Sequence, residues 1–131
     1  MRLLLDTHIW LWAAVEPHRL APSLLSRMAD PATELWLSPI SLWEALLLAE
    51  RGRIRVEGSP EQWVHQMVAA IPRREAPLTG EIAMASRRLR LEHEDPADRF
   101  LAATARVMAL TLVTADVRLL RGTGYATLGN E

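Results

Sequence analysis

The sequence predicts an α/β fold: a three-layer α/β/α sandwich around a central parallel sheet of four to five strands. Two apolar runs carry that expectation. Leu3-Leu4-Leu5 and Thr111-Leu112-Val113-Thr114 show no polar alternation, as befits strands covered on both faces. The third observation is that such short runs alternate with longer helical patterns, and right-handed crossovers then place helices on both faces of the sheet.

The elements follow in order. Asp6-Thr7 is a strand-to-helix junction, and residues 8 to 15 read as a helix. Pro22 to Asp30 is a second helix, with proline in its first turn. Glu34-Leu35-Trp36-Leu37 is a short strand, after which Ser38 or Ser41 caps a helix that runs to about Glu50 and stops before Gly52. Ser59-Pro60-Glu61-Gln62 is a capping box for a helix to about Ala70. Arg73 to Ala76 fits a short edge strand, and Thr79 to Leu91 a helix. His93-Glu94-Asp95-Pro96 breaks the pattern before an alanine-rich helix from Ala97 to Ala109. Asp116 opens a short helix to Arg121, and Gly122 to Leu128 gives a turn and a last strand.

The chain has 131 residues and half are hydrophobic, enough for one domain over 1–131 to bury its own core. The formal net charge is −1, which excludes a wholly basic nucleic-acid coat or polybasic membrane binder and leaves room for a local basic face. There is no cysteine, hence no disulfide, zinc–thiolate site or thiol nucleophile. All fifteen cationic side chains are arginine, so Schiff-base chemistry and a P-loop lysine are excluded as well. Catalysis is left to carboxylate, histidine, serine and threonine. No segment reaches the roughly 18 apolar residues a bilayer span needs, and Met1 to Asp6 is too short an apolar run for a signal peptide. The expected location is the cytoplasm, with no membrane partner.

Aspartate is scarce, at positions 6, 30, 95, 98 and 116. Asp6 and Asp116 each follow an apolar strand, and open parallel sheets bind ligands beyond their strands' carboxyl ends. Each can equally cap the helix that follows it. Glu44 has Ile40, Ser41, Leu47 and Leu48 as helical neighbours, which sets its carboxylate beside a buried stripe. There it requires a cation, a metal or a proton, and an arginine partner or a snorkelling side chain would also serve. Asp98 lies in the first turn of the 97–109 helix on the face of Ala102 and Ala105, while Asp95 fits the N-cap. If Asp6, Glu44, Asp98 and Asp116 converge, a hard cation such as Mg²⁺ or Mn²⁺ is the natural way to offset their repulsion. The scattered histidines, at 8, 18, 65 and 93, argue against zinc.

These segments resemble the motifs of PIN-domain ribonucleases, and more narrowly of VapC toxins from type II toxin–antitoxin systems. Leu3-Leu4-Leu5-Asp6-Thr7-His8 resembles the opening motif, and Ser41-Leu42-Trp43-Glu44 the second. Residues 93 to 105, with the core Asp95-Pro96-Ala97-Asp98-Arg99, resemble the third, and Leu112-Val113-Thr114-Ala115-Asp116 the fourth. The resemblance implies a PIN-like fold and metal binding by Asp6, Glu44, Asp98 and Asp116, with Thr114 supporting the site. It implies an endoribonuclease that uses metal-activated water, with an RNA substrate, a cognate antitoxin and a homodimer. Helices around 22–30 and 60–70 are available to the dimer. Ala97 stands where many relatives carry a larger residue, which alters a groove wall and leaves the acids intact. The competing functions are a solitary PIN nuclease, another metal-dependent phosphodiesterase or phosphatase, and a non-catalytic PIN-like binding module.

Cations must flank an acidic site that receives RNA. Arg73-Arg74 and Arg87-Arg88-Arg90 are the densest clusters, and each can also be plain solvated surface. Arg99, next to Asp98, can pair with an acid instead. Trp10, Trp12, Trp36, Trp43 and Trp63 are five of seven aromatics, and core filling is the simplest expectation for each.

Overall fold

The computed structural model describes residues 1–131. Its sheet has five strands: β1 (Arg2–Leu5), β2 (Glu34–Leu37), β3 (Arg74–Glu75), β4 (Thr111–Val113) and β5 (Ala126–Leu128). They lie in the order β3-β2-β1-β4-β5, and every neighbouring pair is parallel. The helices are α1 (Thr7–Val15), α2 (Pro22–Ala29), α3 (Pro39–Glu50), α4 (Pro60–Ala69), α5 (Gly80–Arg88), α6 (Pro96–Met108) and α7 (Val117–Arg121).

Strand parity divides the core in two. Leu3, Leu5, Leu37 and Val113 point to one face, where they pack with Ile9 and Trp10 of α1, Leu24 of α2, Ala45 of α3 and Trp63 of α4. Leu4 and Leu112 point to the other face, against Ile82 and Ala85 of α5, Leu101, Ala102 and Ala105 of α6, and Leu119 of α7. Both faces of β1 and β4 are therefore dry, which is why those strands are apolar without alternation. This is the expected three-layer sandwich with a parallel sheet.

Local chemistry set most boundaries. Ser38 caps α3 by accepting from the Ile40 amide, and Ser59 and Gln62 form the expected capping box on α4. Trp10 is buried, and its indole N–H donates to the Met67 carbonyl at 3.0 Å. The α5 helix ends at Arg88, short of the expected residue 91. The cause is tertiary: the buried Arg99 guanidinium donates to the carbonyls of Ser86 and Leu89 at 2.8 and 2.9 Å. It donates to those of Leu91 and His93 as well, at 3.0 and 3.1 Å. Arg99 thus satisfies a helix end and the following loop rather than serving chiefly as an acid's partner. Its only ion-pair partner is Glu94, at 3.8 Å.

Candidate metal centre

All five strands run the same way, so the residues just past β1 and β4 share one edge of the sheet. The register pairs Leu5 with Val113, which sets Asp6 beside Thr114. Asp6 is 8% exposed. Its Oδ1 accepts from the Thr7 amide at 2.7 Å, and its Oδ2 accepts from the Thr114 hydroxyl at 2.6 Å. Thr114 Oγ1 in turn accepts from the Asp116 amide at 3.0 Å. A single threonine therefore ties two of the expected site acids together.

Glu44 reaches the same place from α3. The Thr7 hydroxyl donates to Glu44 Oε1 at 2.6 Å and lies 3.1 Å from the Ser41 hydroxyl. No arginine pairs with Glu44, and its carboxylate does not snorkel away. Asp98 comes from the first turn of α6 and is mostly buried. Its carboxylate is in close contact with His93 Nε2, which also lies 3.7 Å from Asp116 Oδ2. Asp116 caps α7 through the Arg118 amide at 2.8 Å, and the Arg118 side chain pairs with it at 3.3 Å.

Two overlapping triads result. Oxygens of Asp6, Glu44 and Asp98 all lie within 4.8 Å of one another, and so do ligand atoms of His93, Asp98 and Asp116. Asp6 and Asp116 each cap the helix that follows and also lie in one of these clusters. Asp95 is exposed and caps α6 through the amides of Ala97 and Asp98, at 2.9 and 3.3 Å.

The electrostatics show a shortage of positive charge. Burial raises the Asp98 carboxyl to about 8, with Asp6, Asp95, Glu44 and Asp116 adding repulsion. Burial raises Glu44 to about 7, against the lowering effect of the Thr7 hydrogen bond. Burial also raises Asp6, partly offset by its hydrogen bonds from Thr114 and Thr7. Asp116 is the exception: partial burial pushes it up, but the hydrogen bonds and charge of Arg118 outweigh that and hold it low. An oxygen-rich pocket whose acids resist ionising together fits a hard divalent cation, which would supply the missing charge.

His93 is the residue that sequence reasoning missed. It opens the third motif, yet the four histidines read as scattered. It is 7% exposed and aimed at Asp98 and Asp116, while its Nδ1 accepts from the Asp95 amide at 3.4 Å. A histidine two residues ahead of a helix-capping aspartate was the available signal. Two tryptophans, Trp10 and Trp63, fill the core as expected, and Trp12 and Trp36 are half-buried. Trp43 departs from that expectation, being 49% exposed on α3 directly before Glu44. Among the arginine clusters, Arg74 lies 3.9 Å from Glu34 and Arg87 lies 3.5 Å from Glu94. Arg88 and Arg90 line an open cavity with Arg106, and Arg90 lines another with Arg118 and Arg121.

The PIN-domain family profile matches residues 3–124. The chain is 35% identical over 118 residues to Ribonuclease VapC22 of Mycobacterium tuberculosis, covering 89% of this chain and 88% of that protein. Its fold is similar to VapBC2 from Rickettsia felis bound to a DNA fragment from its promoter, with a TM-score of 0.75, 18% identity and full coverage of both chains. It is also similar to DNA-bound VapBC from Salmonella typhimurium, with a TM-score of 0.69, 18% identity and 98% of each chain covered. The order of the four motifs, the parallel sheet and the acids gathered at its edge agree with these matches, and the chain belongs to the PIN-domain family, among its VapC members.

Proposed function

We propose that the chain is a Mg²⁺- or Mn²⁺-dependent endoribonuclease and the toxin of a type II toxin–antitoxin pair. One observation carries the enzymatic reading. Asp6, Glu44 and Asp98 come from three separate elements, yet present their oxygens to one small volume without enough positive charge around them. The similarity to a VapC ribonuclease and to two VapBC complexes supports RNA as substrate and an antitoxin as partner.

Asp6, Glu44, Asp98 and Asp116 would hold the cation. When bound, it would activate water as the nucleophile and offset charge developing on the phosphodiester oxygens. The protein's contribution is orientation. Thr114 and Thr7 each donate to one oxygen of Asp6, which leaves the remaining lone pairs aimed into the cleft. Thr7 also fixes Glu44 through its hydroxyl, so one residue aligns ligands on two elements. His93 packs its Nε2 against the carboxylates of Asp98 and Asp116 and so fixes where both lie. Outside the acids, Arg90, Arg118 and Arg121 form a cationic rim suited to phosphate forks.

The test is cleavage of single-stranded RNA, single-stranded DNA and small phosphate esters, with Mg²⁺, Mn²⁺ or EDTA. RNA cleavage that needs metal and is abolished by Asp6→Asn is the expected result. Full activity in Asp6→Asn, or in EDTA, overturns the assignment. Preference for DNA or for the small esters replaces it with another phosphodiesterase or a phosphatase. No cleavage at high enzyme and Mn²⁺ leaves a binding module. For the toxin role, expression arrests growth and the product of the adjoining reading frame relieves the arrest. Absence of both effects leaves a solitary nuclease.

A further inference from the structure

Trp43 stands apart from the other tryptophans. Trp10 and Trp63 are in the core. Trp12 carries the Arg19 guanidinium over its ring at 5.4 Å, and Trp36 carries those of Arg2 and Arg74 at 5.3 and 5.9 Å. Trp43 is 49% exposed and has no such cover. It opens a ridge along α3, with Leu47 and Arg51 following at four-residue spacing and Glu44 and Leu48 on the adjoining ridge.

These five residues line a cavity of about 290 Å³ together with Arg53 and, from the start of α6, Asp95 and Pro96. That is near the lower size of small-molecule pockets, on the order of 300 Å³. Its position follows from how α3 ends. The Arg53 amide donates to the Leu48 carbonyl at 2.9 Å and the Gly52 amide to the Ala49 carbonyl at 3.1 Å. Gly52 has φ +68°, so this is a Schellman turn, which folds the chain back over the helix end and brings Arg53 beside Arg51. Neither arginine is in an ion pair, so both guanidinium groups are available to a ligand, as six of the fifteen arginines are not.

The cavity therefore has a bare aromatic face, two leucines, two guanidinium groups outside any ion pair, and two carboxylates, Asp95 and the Glu44 of the acidic cluster. We propose that it binds the nucleotide next to the scissile phosphate of a single-stranded RNA. The base stacks on Trp43, and Arg51 and Arg53 hold the adjoining phosphate. Two cationic forks and a flat π-surface match a phosphate and a base together. Bases free to leave the stack are what single-stranded RNA offers a protein. This assignment rests on the nuclease reading, since it places the subsite relative to the bond that is cut.

Two measurements test it. The first follows the tryptophan indole N–H signals by NMR in EDTA, where phosphate cannot bind through a metal. The Trp43 signal is identified by its loss in Trp43→Phe. Titration with 5′-AMP shifts it saturably in the millimolar range, and the double variant Arg51→Ala/Arg53→Ala weakens that binding about tenfold or more. Ribose 5-phosphate, which has no base, leaves it in place. No shift with AMP, or a shift unchanged in the double variant, overturns the proposal.

The second is RNA cleavage. Stacking of one base is worth roughly 1–3 kcal/mol, so Trp43→Ala raises KM at least about fivefold, the loss falls on KM rather than kcat, and Trp43→Phe recovers most of it. Thermal unfolding checks that each variant folds, which the exposure of Trp43 favours. An unchanged KM overturns the subsite without touching the nuclease reading. Nucleotide binding at Trp43 in a chain that cleaves no RNA overturns the nuclease reading and leaves the binding site standing.

Discussion

The two halves of the acidic cluster are built in different ways. Asp6 sits at the end of a central strand. Its amide donates to the Val113 carbonyl at 3.0 Å, and the Thr114 amide to that of Leu128 at 3.1 Å, so sheet hydrogen bonds hold the surrounding backbone. Both of its oxygens accept hydrogen bonds. Asp98 follows the loop from Leu89 to Asp95, which belongs to no sheet. That loop hangs on Arg99, which donates to three of its carbonyls and to that of Ser86 in α5, and the Asp98 carboxylate faces His93 and other acids. Two carboxylates of one cluster can thus be placed by a cooperative ladder or by one buried side chain. The second arrangement is easier to break.

Replacing either acid tests the shared chemistry first. Asp6→Asn and Asp98→Asn each reduce metal-dependent RNA cleavage by about a thousandfold, or roughly 4 kcal/mol of transition-state stabilisation. Their effects on the metal-free fold differ. At pH 8 and above, where Asp98 ionises among the other acids, Asp98→Asn removes that repulsion and raises the melting temperature more than Asp6→Asn, which gives up an oxygen that accepts a hydrogen bond. Equal shifts measured by calorimetry in EDTA refute the proposed difference between the halves.

Arg99→Ala strikes only the second half. It leaves several buried carbonyls without donors, at about 1–3 kcal/mol for an orphaned group, and partial hydration brings the expected loss to about 3 kcal/mol. Hydrogen exchange then rises in residues 89–95 before it rises in β1 and β4. Uniform exchange across both regions contradicts the division.

Thr114→Ala strikes the first half through Asp6 and also leaves the Asp116 amide without its acceptor. Loss of its hydrogen bond to a buried carboxylate lowers cleavage about tenfold, equivalent to about 1.4 kcal/mol. Thr114→Ser restores the rate, because the hydroxyl rather than the methyl group orients Asp6. Cleavage rates for the two variants decide between an orienting hydroxyl and simple packing.

The effect of pH on the metal-free chain tests the two halves together. Burial and mutual repulsion keep Glu44 and Asp98 protonated to about 7 and about 8 in the folded state. Unfolded, both release their protons near about 4. The folded state therefore binds more protons between those limits, and its stability falls as pH rises through that window. The melting temperature in EDTA drops from pH 5 to pH 8, Asp98→Asn flattens the drop, and Mg²⁺ or Mn²⁺ stabilises more at pH 8 than at pH 5. A melting temperature that rises over that range contradicts the description of the site.

The sequence by itself determined the layers, most helix starts and the four acids. Leu3-Leu4-Leu5 could be read as a doubly covered strand because side-chain parity is a local property. Ser38, Ser59 and Asp95 could be read as caps because a cap acts within three residues of itself. Only the tertiary structure decided that Asp6, Glu44 and Asp98 meet, since that depends on β1 lying between β2 and β4. It also decided that Arg99 ends α5 early, that His93 faces the acids, and that Trp43 stays in solvent. Each of these depends on which distant element lies opposite, and local patterns in the sequence carry no record of that.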